Sequence, residues 1–193
     1  MTRPTLMISL ALLTASNSVS AHTGHADLAS FMTGFLHPLQ GIDHLLALIA
    51  VGLLSTRLSR SASLGLPLSF LFAMCLGLGL GVNALPMAGM EQAIALSLVT
   101  GGLLLLITRT LPTAFQLALT GGFALFHGFA HGVEMPAGAV LGYAMGIVMA
   151  SSIVMMLSRM AILQMTGQRA NVLTQVSGSA IALTGMAFLA IAA

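Results

Sequence analysis

The sequence predicts an all-α integral membrane protein: a cleaved signal peptide over residues 1–21, then a six-helix transmembrane domain over residues 22–193. Three observations lead there. Only 5% of the 193 residues are charged and 58% are hydrophobic, so the chain cannot give a soluble domain of this size its charged surface, whereas lipid suits it. The apolar residues gather into six segments close to the length of a membrane span. The first residues have the three-part pattern of a secretory leader.

In that leader Arg3 supplies the positive start, Leu6 to Ala15 a short apolar run, and Val19-Ser20-Ala21 the small residues of a cleavage site. The run is about 10 residues, too short to cross a ~30 Å hydrocarbon core. The six spans are expected near 29–55, 61–84, 91–108, 111–133, 136–158 and 171–192. Arg57 and Arg60 follow span 1, Arg109 follows span 3, and Arg159 and Arg169 follow span 5. The alternate loops and the mature N-terminal tail hold Asp27, Glu91 and Glu134 but no Lys or Arg. The positive-inside rule therefore places the arginine loops in the cytoplasm and both mature termini in the periplasm of a bacterial inner membrane. Glu91 is expected to cap span 3.

Several function classes fall away. The chain has no Lys, which excludes a P-loop and an ATPase built on one. A formal charge of +2 gives no case for nucleic acid. The single Cys75 permits no internal disulfide and reads as a small buried apolar residue. Fourteen Met residues, with Met145 and Met149 one turn apart, read as apolar filler rather than a copper site. Most glycines in the spans, Gly142-x-x-x-Gly146 among them, read as sites of close helix packing.

The ionisable residues inside the spans fall in two places, although each costs about 2.5–3.5 kcal/mol on insertion scales. Span 1 carries His37-Pro38-Leu39-Gln40-Gly41-Ile42-Asp43-His44. In an unbroken helix His37 and His44 share a face and Asp43 points about 120° away. Pro38 and Gly41 favour a local break that would turn Asp43 toward the same site. Span 4 carries His127, His131 and Glu134 at i, i+4 and i+7, one stripe on one face, with Gly128 and Gly132 leaving room for an ion or a neighbouring helix. His37 and His127 each lie ~10 Å from the outer end of their span, so the clusters can meet in the outer half of the membrane. Imidazole with carboxylate suits Ni, Co, Zn or Cu(II), whereas Mg and Ca prefer all-oxygen sites.

The expected metal ligands are thus His37, Asp43, His44, His127, His131 and Glu134. His37, His127, His131 and Glu134 would form an outer site, and Asp43 and His44 would receive the ion deeper in. His22 and His25, near the mature N-terminus, would capture metal before entry. A proton relay uses the same residue types. An intramembrane zinc hydrolase is disfavoured, because Gly128 stands where the zinc-protease helix has Glu and no Ser or Cys nucleophile adjoins either cluster. A non-transporting metal-binding protein is the third alternative.

The two motifs resemble those of the HupE/UreJ family of nickel and cobalt permeases. The family's His-Pro-Leu-x-Gly-x-Asp-His stands here as His37 through His44, and its Phe-His-Gly-x-Ala-His-Gly-x-Glu as Phe126 through Glu134. Asp43-His44-Leu45-Leu46-Ala47 continues as in the family, while Leu48 stands where Met is frequent. The resemblance covers the whole chain and implies secondary uptake of Ni²⁺, or Co²⁺, for enzymes such as urease or hydrogenase. The ion is then cargo, and no resident cofactor is expected. A homo-oligomer, a periplasmic metal donor and a cytoplasmic metallochaperone fit such a role as partners. Motifs in spans 1 and 4 of six also suggest two inverted three-helix halves.

Overall fold

The computed structural model describes residues 23–59, 62–107, 111–136, 138 and 140–192, with side chains from residue 28 onward. The leader 1–21, His22, Arg60, Arg109 and the side chains of His25 and Asp27 lie outside the described residues. Among the described residues every regular element is an α-helix, seven in all: α1 (Thr23–Gln40), α2 (Ile42–Ser55), α3 (Gly65–Gly81), α4 (Met90–Leu106), α5 (Thr113–Val133), α6 (Val140–Leu163) and α7 (Gln168–Ile191). α6 and α7 are each long and apolar enough to cross a membrane, and α1 with α2 passes the same test as a bent pair. α3 and α4 are apolar helices of 17 residues. α5 has 21 residues and holds Gln116, His127 and His131.

Span 1 is broken, as Pro38 and Gly41 led us to expect: the chain turns by 80° between α1 and α2. The turn falls at Gly41, whose backbone is extended (φ −80°, ψ 111°), whereas Pro38 remains inside α1. Two expectations need correction. Cys75 of α3 is exposed rather than buried, and Arg159 is not a loop residue. α6 continues to Leu163, and the guanidinium reaches the end of α2, donating to the carbonyl of Ser55 at 3.2 Å and to the hydroxyls of Ser55 and Ser63 at 3.1 Å.

The helices pack in three tight pairs, α3 with α5, α4 with α7 and α1 with α6, around a well-buried α2. Each pair is a glycine contact. A Cβ on Gly128 of α5 would lie 1.9 Å from the Met74 carbonyl oxygen of α3, and one on Gly34 of α1 would lie 2.1 Å from that of Tyr143 on α6. One on Gly102 of α4 would lie 2.5 Å from the amide nitrogen of Ala182 on α7. In lipid no hydrophobic effect drives helices together, so close backbone packing carries their association.

The charges separate along the bundle. Arg57 sits just past α2 and donates to the last carbonyls of α4: Leu104 at 3.1 Å, Ile107 at 2.5 Å, and Leu105. It meets both the unpaired carbonyls and the negative pole of that helix end. α7 runs antiparallel to α4, since Gln92 near the start of α4 donates to Ala192 at the end of α7 (2.5 Å). Arg57, Arg159 and Arg169 therefore share one end of the bundle, and Glu91 and Glu134 border one cavity at the other.

Candidate metal centre

The glycine contacts seat α1 on α6 and α5 on α3. Where α1, α2 and α5 come together, the four histidines of the two motifs meet. Ring centroids are 5.0 Å apart for His37 and His131, 4.4 Å for His44 and His131, 4.9 Å for His44 and His127, and 6.3 Å for His37 and His44. Glu134 follows the last residue of α5, and its Oε2 lies 2.9 Å from Nε2 of His37. Ligating atoms of His37, His131 and Glu134 all fall within 4.8 Å of one another, a spacing that a single ion can draw together.

Asp43 does turn toward the site, as the break was expected to allow. Its Oδ1 accepts the backbone N–H and the ring Nδ1–H of His44, both at 2.9 Å. A carboxylate only accepts, so the proton of neutral His44 sits on Nδ1 and the Nε2 lone pair is free. Among the described residues that Nε2 is buried without a hydrogen-bond partner, and so is Nδ1 of His131. Carboxylate behind imidazole is the arrangement that orients histidines for metal ligation.

The grouping differs from the expected one. His127 does not join His37, His131 and Glu134. It lies on the far side of His44, fully buried, with Nε2 at 2.8 Å from Ser97 Oγ. Ser97 also donates to the Ile94 carbonyl at 2.6 Å. A hydroxyl has one proton, so Ser97 gives it to Ile94 and accepts from His127 Nε2–H. Ser97→Ala will leave that N–H buried and unpaired, at a cost of about 1–3 kcal/mol. A lowered melting temperature of the purified protein, restored by Ser97→Thr, is the expected reading.

Space along the cluster is uneven. A cavity of about 330 Å³ at the acidic end is bordered by Asp43, His44, Glu91 and Glu134. Glu91, expected only as a cap, thus also faces the cavity, and the residue preceding α4 is Gly89 in a left-handed conformation (φ 83°). Between His44, His127 and His131 the packing leaves no room for water. Beyond His127 a second cavity of about 30 Å³ continues past Ser97, Thr100 and Thr120 to Leu104, whose carbonyl holds Arg57.

Ser97 and Tyr143 were not read from the sequence as part of the site. Each had a weak signal: a hydroxyl inside an apolar helix, and the only tyrosine of the chain.

The chain matches the family model described as HupE / UreJ protein over residues 10–188. It is 35% identical over 182 residues to Protein HupE of Rhizobium leguminosarum bv. viciae, covering 93% of this chain and 94% of that protein. No solved structure matches it. The apolar helices and the full-length match agree with the two motifs at the centre of the bundle: the chain belongs to the HupE/UreJ family.

Proposed function

We propose that this protein takes up divalent transition-metal ions, Ni²⁺ first and Co²⁺ next, across the bacterial inner membrane for metalloenzyme maturation. Transport is secondary and the protein is not an enzyme. The observation that carries this is the meeting of four imidazoles and two carboxylates from different helices, with Asp43, His44 and Glu134 of that group bordering an acidic cavity. The family is associated with nickel and cobalt uptake.

In this reading the leader 1–21 is cleaved, and His22 and His25 collect the ion. It enters the acidic cavity, is held by His37, His131 and Glu134, and passes through His44, backed by Asp43, to His127. The separation of arginines from glutamates supports a periplasmic acidic end. An interior-negative potential of 100 mV supplies roughly 4.6 kcal/mol for a divalent ion. α1 with α2 forms one broken span, and α3 to α7 form the other five.

The helix pairing supports inverted halves. Exchanging spans 1 with 4, 2 with 5 and 3 with 6 turns the α1–α6 contact into the α3–α5 contact and returns α4–α7 to itself. Individual residues follow: Gly34-Phe35-Leu36-His37 corresponds to Gly128-Phe129-Ala130-His131, and Tyr143 and Gly146 to Met74 and Gly77. A Cβ on Gly146 would meet Phe31 O and Phe35 N, and one on Gly77 would meet Leu125 O and Phe129 N. A binding site at the interface of such halves is a transporter pattern.

Purified protein in proteoliposomes should admit radiolabelled Ni²⁺, with Co²⁺ and Zn²⁺ as competitors. Uptake that survives His37→Ala and Asp43→Ala rules the scheme out. Saturable binding without flux would identify a storage or sensor protein, and hydrolytic turnover without flux an enzyme.

A further inference from the structure

His37, His131 and Glu134 offer two nitrogens and one oxygen. A first-row divalent ion takes about four to six ligands, so it would keep water in its remaining positions. Next to this trio stands Tyr143 of α6, 1% exposed. Its ring centroid is 5.8 Å from that of His37, and Glu134 is within electrostatic reach. Its position is imposed by backbone packing, since Gly34 of α1 sits against the Tyr143 carbonyl one helical turn before His37.

The Tyr143 hydroxyl is buried and has no hydrogen-bond partner among the described residues. A buried polar group without a partner is destabilising relative to an apolar one, and Phe would fill the same space without that cost. The equivalent residue of the α3–α5 pair, Met74, does have a partner, the Ser151 hydroxyl at 3.9 Å from its sulfur.

Resting on the transport reading, we propose that Tyr143 is a positioning residue of the ion site, its hydroxyl hydrogen-bonding a water retained by the divalent ion held at His37, His131 and Glu134. Water on a divalent cation is a strong donor, and a neutral phenol oxygen accepts from it. The hydroxyl then gains in the loaded state the partner it lacks in the ion-free one, so its contribution appears as affinity and not as fold stability.

The test compares wild type with Tyr143→Phe, both full-length in nanodiscs. Titration calorimetry with NiCl₂ reads affinity, and melting of the ion-free protein reads stability. The variant should bind Ni²⁺ about tenfold more weakly, with an ion-free melting temperature unchanged or raised. Equal affinity overturns the proposal. So does a lowered ion-free melting temperature, which would give the hydroxyl a structural partner. Wild type that binds no Ni²⁺ removes the transport reading along with it, whereas wild-type binding matched by Tyr143→Phe removes the Tyr143 role alone.

Discussion

Gly128→Ala should stop α5 from seating on α3. The new methyl would lie 1.9 Å from the Met74 carbonyl oxygen and 2.9 Å from the Leu78 amide nitrogen, both backbone atoms that no rotamer change moves aside. The helices would have to part by more than an ångström along a contact that Gly77, Gly81 and Gly132 also close at backbone distance. The cost sits at or above the upper end of the ~1–3 kcal/mol usual for overpacking. His127 and His131 flank Gly128 on the same helix, so the histidine cluster should loosen with it. Gly79→Ala is the control: it lies in α3, and an added Cβ meets nothing within 4 Å. On helix propensity it should be neutral or stabilising by up to ~1 kcal/mol. A melting curve of each purified variant decides, and a Gly128→Ala protein as stable as Gly79→Ala would mean the helices pack with more slack than described.

His131→Ala should abolish ion uptake. Its ring is the closest to both His37 and His44, so it joins the outer trio to the inner pair. Residues merely behind metal ligands cost about 10–100-fold in affinity when removed, and a bridging ligand should cost at least as much. The same change removes a buried Nδ1 without a partner, so the lost polar contact carries little stability penalty; the vacated volume carries some. Uptake of radiolabelled Ni²⁺ at matched membrane abundance separates the effects. Near-normal uptake with a folded variant would mean that the ion does not pass between these rings.

Much of this was legible because ionisable residues are costly in an apolar chain. His37, Asp43, His44, His127, His131 and Glu134 stood out against long Leu and Ala runs, and their spacing already placed His127, His131 and Glu134 along one helix face. Gly41 marked a break, and the observed 80° turn is at that residue. The division of ligands was not legible. Helical periodicity relates residues on one helix, whereas the order Glu134–His37, His131, His44, His127 depends on how α1, α2 and α5 cross. The ends of α6 and the setting of Arg159 were misread for a related reason. A charge in a long apolar run looks like a loop until the carbonyl and hydroxyls that receive it, those of Ser55 and Ser63, come from another part of the chain.

By itself, the sequence determined the apolar surface, the helical class, the polar residues that cluster and the family, because composition and short-range spacing set these. Only the tertiary structure decided which of these residues group together, that Ser97 bonds His127, and that the single tyrosine lies beside His37 with its hydroxyl unpaired among the described residues. Those are contacts between distant segments, drawn together by glycines that let backbones touch, and no local pattern encodes them.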